Sequence, residues 1–347
     1  MFTFYRQLIL FFRLLSSLLA VIALFFPLQL FGEEQVVGSP QPPSDRLYLI
    51  DTPRDYLSDK FVGLATSIDR FFGDDRNFQE GNKSVFQLDL TRVSGFGGND
   101  KFELSGRAKV RLPATESRLH LLLETDPEKN LTPESKDQAA ANRKAVTPVS
   151  RVASTGSTVA TPKSLAAAVR YEKKEESPLH YSTDAGVQFH GITSDPNPFA
   201  RARASYTLPV NQWRLKASET LFWFYSIGAG ETTQFDMEHL ISDPLLFRAT
   251  STATWLFETQ NYDLRQDLSF YHTLSERTAL LYQASAIGIT NPHLQATDYV
   301  ISMVYRYRVH REWIFLEISP QLHFPKVNHY QFSPSLNLRL EMLFDDS

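Results

Sequence analysis

The 347-residue chain contains no cysteine. A disulfide framework, a thiolate metal site, a cysteine nucleophile and a lipidated cysteine anchor are therefore all excluded. The same absence suits an exported chain that avoids stray oxidation. Net charge is also scarce: 35 Lys and Arg against 39 Asp and Glu leave −4. The basic stripe that nucleic-acid binding needs is missing, so no nucleic acid is expected as a partner. Long apolar runs are lacking after residue 32, which excludes a bundle of membrane-spanning helices. Helical spacing of apolar residues is confined to one stretch near the N-terminus.

What the chain does have is aromatic side chains, 13% of the total, with Phe 26 and Tyr 14. It also has an alternating pattern, seen clearly in "PSLNLRLEMLF" at 334–344. Leu336, Leu338, Leu340, Met342 and Phe344 are apolar, while Asn337, Arg339 and Glu341 between them are polar. "KFELSGRAKVRL" at 101–112 repeats it: Phe102, Leu104, Ala108, Val110 and Leu112 face one way, and Glu103, Arg107, Lys109 and Arg111 the other. A helix would scatter those charges around its surface, whereas a strand segregates them. Similar segments recur to residue 344, about fourteen in all, with twelve as the alternative count. Each is close to the roughly ten residues that a tilted strand needs to cross a bilayer.

The connections alternate in character. "ESP" (176–178), "SDP" (242–244) and "LSER" (274–277) are short; "SGFGGND" (94–100), "GITSDPNP" (191–198) and the piece 126–163 are longer. Short periplasmic turns and longer outer loops are the transmembrane-barrel arrangement. In lipid every backbone donor and acceptor needs a partner, and closing the sheet removes its bare edges. The expected fold is therefore all-β: a closed antiparallel transmembrane β-barrel, apolar outside and polar within. Aromatic residues such as Trp255, Phe257, Tyr305, Tyr307, Trp313 and Phe315 are expected largely in interfacial girdles. The run 221–225 is apolar on both faces, so part of it is expected to point inward or to cap a loop.

Three further regions are expected. Residues 1–32 read as a signal peptide, with Arg6 and Arg13 around an apolar run and cleavage after Gly32; a membrane-anchor helix is the competing reading. Residues 33–83 read as a periplasmic linker and one amphipathic helix. Thr52, Pro53 and Asp55 mark its start, and Leu57, Phe61, Leu64, Ile68 and Phe72 form its apolar face. That face docks on the barrel, at its mouth or inside it, or on a periplasmic protein or membrane surface. Residues 84–347 are the barrel. Its outer loop 126–163 has no aromatic residue and is rich in Ser, Thr, Ala, Pro and charge, so it is expected to be disordered.

Chemistry is sought on the inward, polar faces. Arg107, Lys109, Arg111, Arg201, Arg203, Arg306, Arg308 and Glu317 are the candidate pore residues. They form either a charge ladder that braces the interior or, through Arg201, Arg203, Arg306 and Arg308, an anion-attracting constriction. His180, Ser182, Asp184 and His190 share one strand face, too widely spaced for a hydrolase triad. His323 and His329 read as solvated histidines, and "GAGETT" (228–233) as a hairpin loop without the lysine of a phosphate-binding loop. No enzyme activity, cofactor or metal is expected.

The last strand resembles the C-terminal targeting signal of bacterial outer-membrane proteins, which ends in an aromatic residue, here Phe344. More widely, "SIDRFFGDDR" (67–76), "DPNPFARARASYTL" (195–208), "LFWFYSIGAGETT" (221–233), "LSERTALLYQASAIG" (274–288) and "YRYRVHREWIFLEISP" (305–320) together resemble an uncharacterised family of proteobacterial outer-membrane β-barrels. The resemblance implies a location and a fold and brings no activity with it. The function expected is a structural barrel or a narrow, gated diffusion channel for small polar solutes. The alternative is a non-conducting barrel that recruits a periplasmic protein or lipid through its helix. Outer-membrane lipids and the barrel-assembly machinery are the expected partners, with a periplasmic protein beside them.

Overall fold

The computed structural model describes residues 84–95, 100–112, 118–131, 158–160, 162–174, 178–191, 195–210, 212–310 and 313–345, together with Ile68, Phe71, Phe72 and Phe78. Among them are fifteen strands: β1 (Val85–Gly95), β2 (Asp100–Arg111), β3 (Leu119–Thr125), β4 (Thr158–Ala160), β5 (Leu165–Lys174), β6 (Leu179–Phe189), β7 (Asn197–Val210), β8 (Trp213–Phe224), β9 (Gly228–Ser242), β10 (Leu245–Leu256), β11 (Asn261–Ser275), β12 (Thr278–Ile289), β13 (Gln295–His310), β14 (Ile314–His323) and β15 (Ser333–Asp345). All but β4 pair antiparallel with their neighbours in chain order. β1 pairs with β2 on one side and with β15 on the other, from Val85 opposite Asp345 to Gly95 opposite Ser335. The fourteen antiparallel strands therefore close on themselves into a ring.

Alternation decides which side chain meets which solvent. On β15, Leu336 and Phe344 are exposed on the outer wall, while Asn337 and Glu341 are buried on the inner one. The outer wall carries Phe86, Leu90, Leu121, Val169, Leu268, Ile301, Leu316 and Ile318, all exposed, as a lipid-facing surface must be. Aromatics mark its two margins. Trp213, Trp313 and Phe344 lie toward the short-turn end, with Trp313 stacked on Phe344 at 5.0 Å. Trp223, Trp255, Phe257 and Tyr299 lie toward the long-loop end. The run 221–225 divides as its composition requires: Leu221, Trp223 and Tyr225 are exposed outward, while Phe222 and Phe224 are buried inward.

Two expectations are corrected. The outer loop is ordered at both of its ends. Asp126 closes its neck, accepting hydrogen bonds at Oδ1 from the backbone of Lys163 and Ser164, each 2.9 Å. A short 3-10 helix follows over Pro127–Asn130. On the return, β4 pairs parallel with Lys101–Glu103 of β2. The reason lies in β3, which is short and covers only Arg107–Arg111 of β2, so the far end of β2 would otherwise be bare. Residues 132–157 lie outside the described residues. Second, "GAGETT" belongs to β9 and is not a loop. A Cβ at Gly230 would lie 2.5 Å from the Phe222 ring and from the Trp255 carbonyl, so glycine there permits close contact inside a strand.

The signal-peptide region 1–32, most of 33–83, and Leu57, Phe61 and Leu64 of the expected helix face lie outside the described residues.

Candidate functional site: the lumen wall and what fills it

Antiparallel pairing places inward residues of adjacent strands side by side, so charges on successive strands meet across the wall. Between β13 and β1, the Arg306 guanidinium grips Glu341 with both terminal nitrogens, at 2.9 and 3.0 Å, and also contacts Glu317. Arg339 reaches Glu317 at 3.2 Å and Asp89 at 3.1 Å, and also binds Glu341. Gln87 continues the chain, donating to Asp89 at 3.1 Å and accepting from Arg107 Nε at 2.8 Å. Between β2 and β7, Arg170 holds Asp184 at 2.6 and 2.8 Å. Arg201 pairs with Asp184 and with Glu124, both at 3.0 Å. Lys109 lies 3.9 Å from Glu172, which binds His180 at 3.0 Å. Between β8 and β12, Glu238 lies between Arg214 and Arg248, while Arg265 binds Asp267 at 2.8 Å. Cations and carboxylates thus pair in successive groups along the wall, and Arg306, Lys109, Asp236 and Glu341 have no exposure.

Of the candidate pore residues, Arg306 and Glu317 stand together, and Arg107 stands beside Lys109 across Phe78. Arg201 and Arg306 each face two carboxylates. β7 and β13 are six strands apart in the ring of fourteen, so their arginines occupy nearly opposite walls and do not form one cluster. Among the described residues, Arg203 Nε has no hydrogen-bond partner, and Arg308 faces the rings of Phe71 and Phe315, at 5.4 and 5.8 Å. Arg111 is exposed at the short-turn rim.

The described N-terminal residues lie inside this wall. Ile68, 2% exposed, packs with Leu246 and Tyr271, and Phe72 joins them with its ring 5.2 Å from that of Tyr271. Phe71 lies edge-on to Phe315 at 5.7 Å, with Arg306 5.8 Å from its ring. Phe78 sits further toward the long-loop end. Its carbonyl accepts a hydrogen bond from Lys109 Nζ at 2.8 Å, and Arg107 lies over its ring at 4.5 Å. An inward apolar cluster of Leu122, Ala168, Phe199, Phe222 and Phe224 surrounds it. Leu131 of the outer loop enters the same cluster. Its carbonyl accepts from Thr232 at 3.0 Å and Thr254 at 3.3 Å, both on the inner wall. Of the expected helix face, Ile68 and Phe72 are thus turned onto the barrel. Phe78, Leu131, Phe199 and Tyr271 were not among the sequence candidates; apolar residues at inward positions were the available signal.

The triad candidates are otherwise engaged, with Asp184 bound by arginines and His180 by Glu172. His323 bonds Asp298 at 3.0 Å and Gln321 at 2.9 Å. No cluster of three or more potential metal ligands occurs among the described residues.

A closed antiparallel barrel with an apolar outside and an ion-paired inside is an outer-membrane β-barrel. No protein-family model and no curated protein matches the chain. Solved structures similar to it include outer-membrane proteins. OprB of Pseudomonas putida is 9% identical with a TM-score of 0.47, over 79% of this chain and 97% of that one. The channel DcaP of Acinetobacter baumannii is 10% identical with a TM-score of 0.40, over 76% and 96%. Likeness at this level bears on fold alone, and the barrel stands on its own strand register.

Proposed function

We propose that the chain is a diffusion channel for small polar solutes, held closed by its own N-terminal segment, in the outer membrane of a proteobacterium. One observation carries the reading: the main carboxylates of the wall are paired by the wall's own arginines. Arg306 and Arg339 keep Glu317, Glu341 and Asp89, and Arg170 and Arg201 keep Asp184, whether or not the segment is present. Among the described residues of the segment, what reaches the wall is ring contacts and the Phe78 carbonyl, and none of them supplies a charge to a wall carboxylate. Wall and filling are separable, as a gate requires. Burial of Ile68 and packing of the half-buried Phe72 against the wall favour this over the reading in which that face recruits a periplasmic protein. On this reading outer-membrane lipids surround the wall, and the assembly machinery reads the last strand ending in Phe344.

The test is single-channel conductance in planar bilayers, comparing the mature full chain with one lacking residues 33–83. The full chain is expected to be closed or briefly open, and the shortened chain steadily open. Equal conductance in both would refute the gate, and silence in both would refute the channel.

A further inference from the structure

The outward face of β8 reads Trp213, Leu215, Ala217, Glu219, Leu221, Trp223. Tryptophans at a barrel's two margins sit at the membrane interfaces. Glu219 lies between them, at the depth of the hydrocarbon, where a carboxyl group finds neither water nor headgroup. Its Oε2 accepts from Thr233 Oγ1 of β9 at 2.8 Å. Its Oε1 is buried and has no hydrogen-bond partner. The next two strands continue the departure: Ser251 of β10 and Gln266 of β11, both exposed on the outer wall, bond each other. Four successive strands therefore present polar groups to the membrane. The opposite wall does not: at comparable depth β14 and β15 present Leu316, Ile318, Leu338 and Leu340. Alanines adjoin the patch, with Ala204 paired to Glu219 and Ala253 to Thr233, so a second surface can approach closely.

We propose that this wall, β8 to β11, is an interface with a second copy of the chain in the membrane. The occupant must itself lie in the bilayer and meet the polar groups of this wall at the level of Glu219, Thr233, Ser251 and Gln266. A copy inserted in the same direction carries the Ser251 and Thr233 hydroxyls and the Gln266 amide at that level. The patch holds donors and acceptors together, so it is complementary to itself, as a symmetric closed assembly requires. The inference concerns the outer wall and is independent of whether the lumen conducts.

Because the chain has no cysteine, a single introduced thiol reports its surroundings without background. Ser251→Cys, with Gln266→Cys as a second reporter on the same patch and Leu338→Cys on the opposite wall as control, is treated in intact outer membranes with a short bis-maleimide. Folding of each variant is verified by heat-modifiable gel migration. A product of twice the chain mass is expected from both patch variants and not from the control. Adding Glu219→Leu to Ser251→Cys is expected to reduce that product several-fold. Folded patch variants that stay monomeric, that cross-link no more than the control, or that cross-link to a different protein would overturn the proposal.

Discussion

Replacing Arg306 with methionine asks how dry the inner wall is. The guanidinium has no exposure and faces Glu341 and Glu317, with the Phe315 ring 4.1 Å away. Arg339 holds the same carboxylates from the other side and adds Asp89. Two guanidinia thus balance three carboxylates, and Gln87 donates to the third. Methionine keeps an unbranched stem and removes the charge, leaving one guanidinium for three carboxylates. Removing one partner of a buried pair costs about 3–5 kcal/mol. That is roughly two to three and a half powers of ten in the folding equilibrium. In a wet, screened lumen the same pair would be worth only about 0–1 kcal/mol. The assay is urea unfolding in detergent, followed by the fluorescence of the four tryptophans. Arg306→Met combined with Glu341→Gln restores the original charge difference, so the double variant is expected to lose less than the sum of the single losses. A loss below about 1 kcal/mol for Arg306→Met alone would refute the dry, self-paired wall on which the gate argument depends.

Other outcomes follow from single contacts. A Cβ at Gly186 would lie 2.2 Å from the Ala167 carbonyl and 2.6 Å from the Ala168 Cβ, so Gly186→Val is expected to cost at least the roughly 1–3 kcal/mol of an overpacked site. Heat-modifiable migration would then show less folded barrel, and unchanged folding would refute the packing of β5 on β6. Thr254→Val with Thr232→Val removes both donors to the Leu131 carbonyl, about 1 kcal/mol per bond. The outer loop should then be cut faster by added protease, while cutting at the parental rate would mean that these bonds do not hold it. Phe344→Ser removes the ring that contacts Trp313 and Phe86, at 5.0 and 5.9 Å, and the aromatic end of the last strand. The outer-membrane fraction should fall, and undiminished insertion would count against the targeting role.

Much of the barrel was legible because alternation is a property of the backbone. Wherever Leu, Phe or Ala stood at one parity and Arg, Glu or Ser at the other, as at 101–112 and 334–344, inward and outward faces could be read directly. Strand ends were less legible. "GAGETT" looked like a turn because glycine is commonest there, and only the Phe222 ring and the Trp255 carbonyl explain why it lies in β9. The ends of the 126–163 loop were misread for a related reason. Its composition gives no apolar area worth burying, but Leu131 enters a cluster supplied by distant strands, and β4 exists only because β3 is too short to cover β2. Long-range partners of that kind leave no trace in a local window.

Alternation as a rule assumes water within and lipid without, so its failures mark where those assumptions fail. Phe199, Phe222, Phe224 and Leu246 are apolar at inward positions, and each lies where the lumen holds protein: three around Phe78 and Leu131, one against Ile68. Glu219, Thr233, Ser251 and Gln266 are polar at outward positions, grouped on four adjacent strands and lacking from the wall opposite. Random tolerance would spread such departures around the cylinder and along it. Their grouping inside around Phe78, Leu131 and Ile68, and outside into one patch, is what a filled lumen and a covered wall would each produce, since one neighbour selects several contiguous side chains at once. The same reasoning separates the lumen filling from the outer patch in experiment: withdrawing the N-terminal segment should leave Ser251 cross-linking unchanged, and replacing Glu219 should leave conductance unchanged.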